Sequence, residues 1–227
     1  SFETDGPIGV FILGNFLIQQ GISVSIICEQ GLIDAMEEFP WYSSDSSLLK
    51  FTSPPNLKNI SGVFISIERP GQNFRKIYHN MHGEEISSLI ANIEDRMGEF
   101  PLAYWLAIGD GGNELGLGAL KERIQEVIPF GKKCNCPCEG GIAVEKCASD
   151  YVLGMTSNLT TLMLTLELAQ RFHVKWEYSW KTETVLLNIL NSHKIFDGVT
   201  GGLNSVDGMN PLLTKEIIRN MHTLYTH

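Results

Sequence analysis

The apolar positions of this chain fall into two rhythms that alternate along its length. Short, β-branched, almost continuously apolar runs read as buried strands: Ile22–Cys28, Val63–Ile67, Ala103–Ile108 and the shorter Tyr151–Leu153. Between them lie segments with helical spacing. Phe11–Gln20 is apolar on one side and stops at Gly21. Leu32–Phe39, Ile86–Met97, Leu117–Ile128, Asn158–Phe172 and Thr184–His193 follow. A last helix opens at Asn210-Pro211 and runs to about Tyr225, with proline in the first turn, where its missing N–H costs little.

Alternating strands and helices predict an α/β fold with a mostly parallel sheet and helices on both faces, a three-layer, Rossmann-like arrangement. No repeat or low-complexity linker interrupts the pattern, so one domain is expected over residues 1–227. In such sheets ligands sit beyond the carboxyl ends of the strands. That places two loops in the chemistry: Glu68-Arg69-Pro70-Gly71 after Val63–Ile67, and the glycine-rich Ile108–Gly118 (IGDGGNELGLG) after Ala103–Ile108.

Composition narrows the function. Seventeen basic against 26 acidic residues give a net charge of −9 and no basic stripe, so nucleic-acid binding is not expected. No apolar run approaches the roughly 20 residues of a spanning helix, and no membrane association is expected. The five cysteines, Cys28, Cys134, Cys136, Cys138 and Cys147, are odd in number and uneven in spacing, unlike a secreted disulfide framework. C-x-C-x-C is cramped for structural zinc, whose ligands usually come as C-x2-4-C pairs, so reduced thiols are the expectation. His79 and His82, three apart, can bind metal, but surface histidines are more often solvated.

The glycine-rich loop is not a nucleotide fingerprint. It lacks the terminal Gly-Lys-Ser/Thr of a phosphate loop. Starting at Gly109, the sixth position is Glu114; starting at Gly111, the third is Asn113. No nicotinamide or flavin is expected. Gly111 and Gly112 permit close backbone approach, and N–H groups after Gly111 can hold a carboxylate. Asp110, Asn113 and Glu114 offer acceptors for an ammonium group or a divalent cation, Mg or Mn, with Asp110 and Glu114 as candidate ligands. This suits a zwitterionic amino acid. Arg69 can grip a carboxylate with its planar fork, and Glu68 can act as a base. Glu3-Thr4-Asp5-Gly6-Pro7, Ser157-Asn158 and the late loop with Asp207 add polar candidates, each with a capping or turn role as its plain reading.

Taken together, ETDGP (Glu3–Pro7), IERPG (Ile67–Gly71), YHNMHG (Tyr78–Gly83), IGDGGNELGLG, GMTSN (Gly154–Asn158) and VDGM (Val206–Met209) resemble the C-terminal domain of the D-glutamate cyclase family, in family order. The resemblance implies a lyase that converts D-glutamate to 5-oxo-D-proline with loss of water. For that chemistry the residues themselves offer Asp110, Glu114 and Glu68 as catalytic candidates, and Glu3, Thr4, Asp5, Arg69, Gly111, Gly112, Asn113, Ser157, Asn158 and Asp207 as substrate-binding candidates. Two departures stand out: Leu159 replaces the usual tryptophan after Ser-Asn, and the CNCPC run is not a family feature. A segment before ETDGP is expected to be missing. The alternatives are a non-catalytic amino-acid or nucleotide-binding module and a lactam hydrolase. A homo-oligomer is open; the compartment would be cytoplasmic in a bacterium and the mitochondrial matrix in a eukaryote.

Overall fold

The computed structural model describes residues 2–42, 46–54, 61–209 and 211–225. They form two compact units: residues 1–53 with 156–227, and residues 54–155. Among the described residues every strand pair is parallel and helices intervene between strands, so the α/β class expected from the alternation is the observed one. Among the described residues, no helix is long and apolar enough to cross a membrane.

The first unit holds α1 (Pro7–Gln19), β1 (Val24–Ile27), α2 (Gln30–Met36), β2 (Leu49–Thr52), α4 (Ser157–Arg171), α5 (Trp180–Ser192) and α6 (Pro211–Tyr225). Helix α1 is apolar nearly all round, and such a helix must be buried on every side. Ile8, Phe11, Ile12 and Phe16 pack with Leu162 and Leu166 of α4 and Leu186 and Leu190 of α5. Phe11 meets Phe39 edge-on at 5.7 Å and Trp41 at 4.9 Å. The Trp41 indole N–H is satisfied by the Met36 carbonyl at 2.7 Å.

Strand β2 has no apolar run, and the sequence pattern missed it. It exists through parallel pairing with β1, Val24 opposite Leu49 to Ile27 opposite Thr52. Asn210, at the expected start of α6, lies outside the described residues.

The second unit is built on β3 (Gly62–Ile67), β4 (Leu102–Gly109) and β5 (Asp150–Leu153), in the order β3-β4-β5, with α3 (Lys121–Val127). Ser66 lies in mid-strand for a reason. Its hydroxyl accepts the Trp105 indole N–H at 3.0 Å and donates to the Leu115 carbonyl at 2.8 Å, tying the glycine-rich loop to the sheet.

Two helical expectations need correction here. Ile86–Met97 is not an α-helix; only a 3-10 stretch, Glu94–Glu99, forms. The backbone has other partners: Ile86 N–H donates to the Tyr78 carbonyl at 2.9 Å, the Ser87 hydroxyl accepts from Tyr78 N–H, and Asn92 accepts from Asp95 N–H. Serine and asparagine compete with the helix in this way. The expected helix Leu117–Ile128 begins as 3-10 at Gly118 and becomes α only at Lys121. Gly118 N–H is held by the Lys146 carbonyl at 2.9 Å instead of entering a helix.

Candidate active site

Strands β3 and β4 end side by side, and their loops continue the pairing. Glu68 N–H donates to the Ile108 carbonyl at 3.0 Å. The chain then turns at Glu68, which has φ 50°, and residues 69–71 run antiparallel to 113–115. Gly71 N–H bonds the Asn113 carbonyl at 2.8 Å and Leu115 N–H bonds the Arg69 carbonyl at 2.7 Å. Position 71 has no room for a side chain: a Cβ there would lie 2.9 Å from the Leu115 Cα and 2.8 Å from Val144. The two loops expected to carry chemistry are thus one structure. It brings half-buried Glu68 and Asp110 together, with carboxylate oxygens within 4.8 Å.

Glu114 goes elsewhere. Its carboxylate is buried and folds back into its own loop, accepting from Asp110 N–H at 3.0 Å, Gly111 N–H at 2.5 Å and Gly112 N–H at 2.6 Å. Successive backbone N–H groups converging in this way form an anion nest. Gly112 completes it with φ 107°, a conformation glycine takes without penalty. The sequence offered the N–H groups after Gly111 to a substrate carboxylate; of these, Gly112 N–H holds the carboxylate of Glu114. Its candidacy as a metal ligand meets the same fact, since both oxygens already accept hydrogen bonds. Asn113 is also buried, and its amide donates to the His79 carbonyl at 2.8 Å.

Arg69 is anchored, with Nη2 on the Ala91 carbonyl at 2.7 Å. Close by is a buried carboxyl that the sequence reading missed. Burial pushes Glu94 above its ordinary pKa; the Gln72 N–H, 2.7 Å from Oε1, and the Arg69 charge pull part of the way back. Burial, with Glu94 adding to it, also raises the Tyr78 phenol.

The remaining candidates belong to the first unit, where two of them cap each other's helices. The Asp5 carboxylate accepts from Ser157 N–H at 2.8 Å and Asn158 N–H at 2.9 Å, at the start of α4. The Asn158 amide oxygen accepts from Gly6 N–H at 3.0 Å and Gly9 N–H at 2.7 Å, at the start of α1. The Asn158 amide nitrogen donates to the Thr4 carbonyl at 3.1 Å. A helix start has N–H groups without intrahelical partners, and here each motif supplies the other's acceptor. The Thr4 hydroxyl donates to the Ser205 carbonyl at 2.8 Å, and Thr4 N–H to the Phe196 carbonyl at 3.0 Å. Ser157 is fully buried.

The late loop is organised by a residue other than Asp207, the one singled out from the sequence. Buried Asp197 accepts from Val199 N–H at 2.8 Å, Thr200 N–H at 3.0 Å and Gly208 N–H at 2.8 Å. Burial opposes its ionisation, but these bonds and the Ser205 hydroxyl prevail and hold its pKa below the ordinary value. The loop closes over Glu3, since a side chain at position 198 would overlap the Glu3 carboxylate. Asp207 sits in the loop with φ 49°.

This arrangement, loops of glycines and carboxylates at the ends of parallel strands, accompanies a match over residues 1–222 to the family described as D-glutamate cyclase-like, C-terminal. The chain belongs to that family. It is also 25% identical, over 247 aligned positions, to human "D-glutamate cyclase, mitochondrial", with 91% of this chain and 40% of the relative covered. The chain thus spans about two fifths of that relative's length. Within this D-glutamate cyclase-like chain, the motifs divide by physical role. ETDGP and TSN build helix starts, while IERPG and the first half of the glycine-rich loop bring Glu68 and Asp110 together.

Proposed function

We propose that this chain catalyses the cyclisation of D-glutamate to 5-oxo-D-proline with loss of water, acting as a carbon–oxygen lyase. The observation that carries the reading is the pairing of Glu68 and Asp110 beyond the carboxyl ends of β3 and β4, in a member of the D-glutamate cyclase-like family.

The reaction forms a bond between the substrate nitrogen and the carbon of its γ-carboxyl group and breaks a bond from that carbon to oxygen. The nitrogen gives up two protons and the oxygen departs as water carrying two. Two carboxyl groups can divide such work. Glu68 takes a proton from the ammonium group, freeing the lone pair for attack, and Asp110 delivers one to the departing oxygen. Glu68 then passes its proton across the pair to Asp110, and the relay repeats for the second proton, so the pair ends as it began. Arg69, its orientation fixed on the Ala91 carbonyl, binds a substrate carboxylate. Glu114 positions the loop through its bonds to three backbone N–H groups.

The test is turnover of D- and L-glutamate by the full chain, followed by chromatography of 5-oxoproline. Glu68→Gln and Asp110→Asn should each lower kcat by about 100- to 10,000-fold, the range a general acid or base contributes. Full activity in both variants would remove the pair from the reaction. Binding of D-glutamate without turnover would favour a non-catalytic module. Net opening of 5-oxo-D-proline would favour a lactam hydrolase. The same oxygen pair is also a hard donor set for Mg or Mn. Activity lost on chelation and restored by Mg or Mn, but not by Zn, would assign Glu68 and Asp110 to a cation.

A further inference from the structure

We infer that His79, Cys134, Cys136 and Cys138 form a closed, structural zinc site. The four residues come from two segments far apart in sequence, yet their donor atoms all lie within 4.8 Å of one another. His79 Nε2 is 3.2 Å from Cys136 Sγ and 3.4 Å from Cys138 Sγ. Cys134 Sγ is 3.4 Å from Cys136 Sγ and 3.3 Å from Cys138 Sγ. Tetrahedral zinc, with bonds of about 2.3 Å to sulfur and about 2.0 Å to nitrogen, has ligand–ligand edges of about 3.5–3.8 Å. The four distances above are a few tenths of an ångström shorter, and no pair of donors exceeds 4.8 Å, so one ion can reach all four. They are too far apart for a disulfide, whose sulfurs are about 2.05 Å apart.

The expectation that C-x-C-x-C is too cramped assumed an extended strand. The segment is a turn instead: Glu139 N–H bonds back to the Cys136 carbonyl at 3.2 Å, and Glu139 has φ 51°. That curl points three alternate sulfurs inward. The fourth donor was expected at the surface with His82, but His79 is 1% exposed. Three sulfurs and one imidazole select a borderline-soft metal and disfavour Mg or Mn. Four protein donors leave no open position, the mark of a structural site.

The surroundings fit the charge of a zinc–thiolate centre. Gly140 N–H donates to Cys138 Sγ at 3.3 Å, and the Asn73 amide reaches it at 3.6 Å while also donating to the Gly141 carbonyl at 2.8 Å. Such outer partners orient ligands and tune the metal. The two ligand-bearing segments are fastened to each other as well, Asn135 N–H to the Gly83 carbonyl at 2.9 Å and the Asn135 amide to the His82 carbonyl at 2.8 Å. The His79 carbonyl accepts from Asn113, so the zinc would brace the glycine-rich loop without touching substrate. Binding displaces the three thiol protons, leaving three thiolates and a neutral imidazole on the ion.

The experiment is metal analysis of the full chain, prepared without a metal-affinity tag and gel-filtered, with thiol titration of the folded protein. We expect about one zinc per chain, with Cys134, Cys136 and Cys138 protected from thiol reagents until the metal is removed. Cobalt exchanged into the site should give tetrahedral d–d bands and a thiolate-to-cobalt charge-transfer band. Cys147→Ser and His82→Ala should keep full metal content, whereas His79→Ala and Cys138→Ser should lower it by at least about tenfold. Should those two variants fail to fold, wild type decides alone. Folded wild type that takes up no zinc from solution, and whose thiols all react freely, overturns the proposal; so does unchanged zinc content in folded Cys138→Ser.

Discussion

The carboxylate of Glu114 is engaged by the loop that carries it. Three N–H groups converge where an anion is needed, and the anion that fills the place lies two to four residues on. A sequence shows that such a loop can bind a carboxylate, but not whether its own side chain reaches the nest first. Asp110 and Glu114 looked equivalent in IGDGGNELG for that reason, and only the backbone path separates them. Glu114→Gln keeps the shape but offers one acceptor oxygen to three donors. Leaving a buried N–H unsatisfied and removing charge-assisted bonds should cost about 2–3 kcal/mol. The check is a urea melt, in which the midpoint should fall with an unchanged slope. A midpoint equal to wild type would mean that the nest does not depend on the charge. Gly71 makes a comparable case from packing. An alanine Cβ would press on the backbone of Leu115, which cannot swing aside, so Gly71→Ala should destabilise by about 1–3 kcal/mol. A stability unchanged within about 0.5 kcal/mol would show that the paired loops can separate.

At the level of elements, four strands and most helices were legible because burial writes a period into the chain. Strand Leu102–Gly109 and helix Ser157–Arg171 differ by only a residue or so at each end from the runs read in the sequence. What failed to show lacked that period. Strand Leu49–Thr52 depends on its neighbour Val24–Ile27 for every ladder bond. Ile86–Met97 has helical spacing, but its serines and asparagine give the backbone other partners. The candidate site was legible to the same degree. The loops at the strand ends were found from topology, whereas the reciprocal caps needed the third dimension, because Asp5 and Asn158 are 153 positions apart. Those caps give a prediction. Asp5→Ala and Asn158→Ala should each cost about 1–2 kcal/mol, as lost helix caps do. Each residue bonds the other's motif, so the double variant should cost less than the sum by about 0.5–3 kcal/mol. A double-mutant cycle from denaturant melts measures this, and strict additivity would mean that the two helix starts form independently.

For the molecule as a whole, acidic groups set how stability varies with pH, and they do not all pull the same way. Asp197 has its pKa held low by hydrogen bonds. It contributes stability present above the ordinary aspartate pKa and lost as pH falls through the folded value. Glu183 works oppositely. It lies on helix Trp180–Ser192, 8% exposed, and burial pushes its carboxyl up to about 7 against a smaller lowering by the Tyr178 hydroxyl. The folded chain therefore holds a proton that the unfolded chain releases at lower pH. A group raised in this way contributes stability that is fully present below its unfolded pKa and is lost as pH rises through the folded one. From an unfolded value near 4.5 to a folded value of about 7, the loss is on the order of 3 kcal/mol once Glu183 has ionised. Glu94, raised by burial and only partly relieved by Gln72 and Arg69, adds a loss of the same sign. The chain should thus be less stable at about pH 8 than at about pH 5. Glu183→Gln isolates the larger contribution, since the amide fills the same space and does not titrate. In chemical denaturation at the two pH values, the variant should lose most of the wild-type difference in midpoint, keeping only the part due to Glu94 and weaker groups. If the variant retains the full wild-type difference, Glu183 is already ionised at the lower pH, and Thr156, Asn158 and Thr214 in the lining of its cavity outweigh Ile12, Leu159, Leu162, Val206 and Met209.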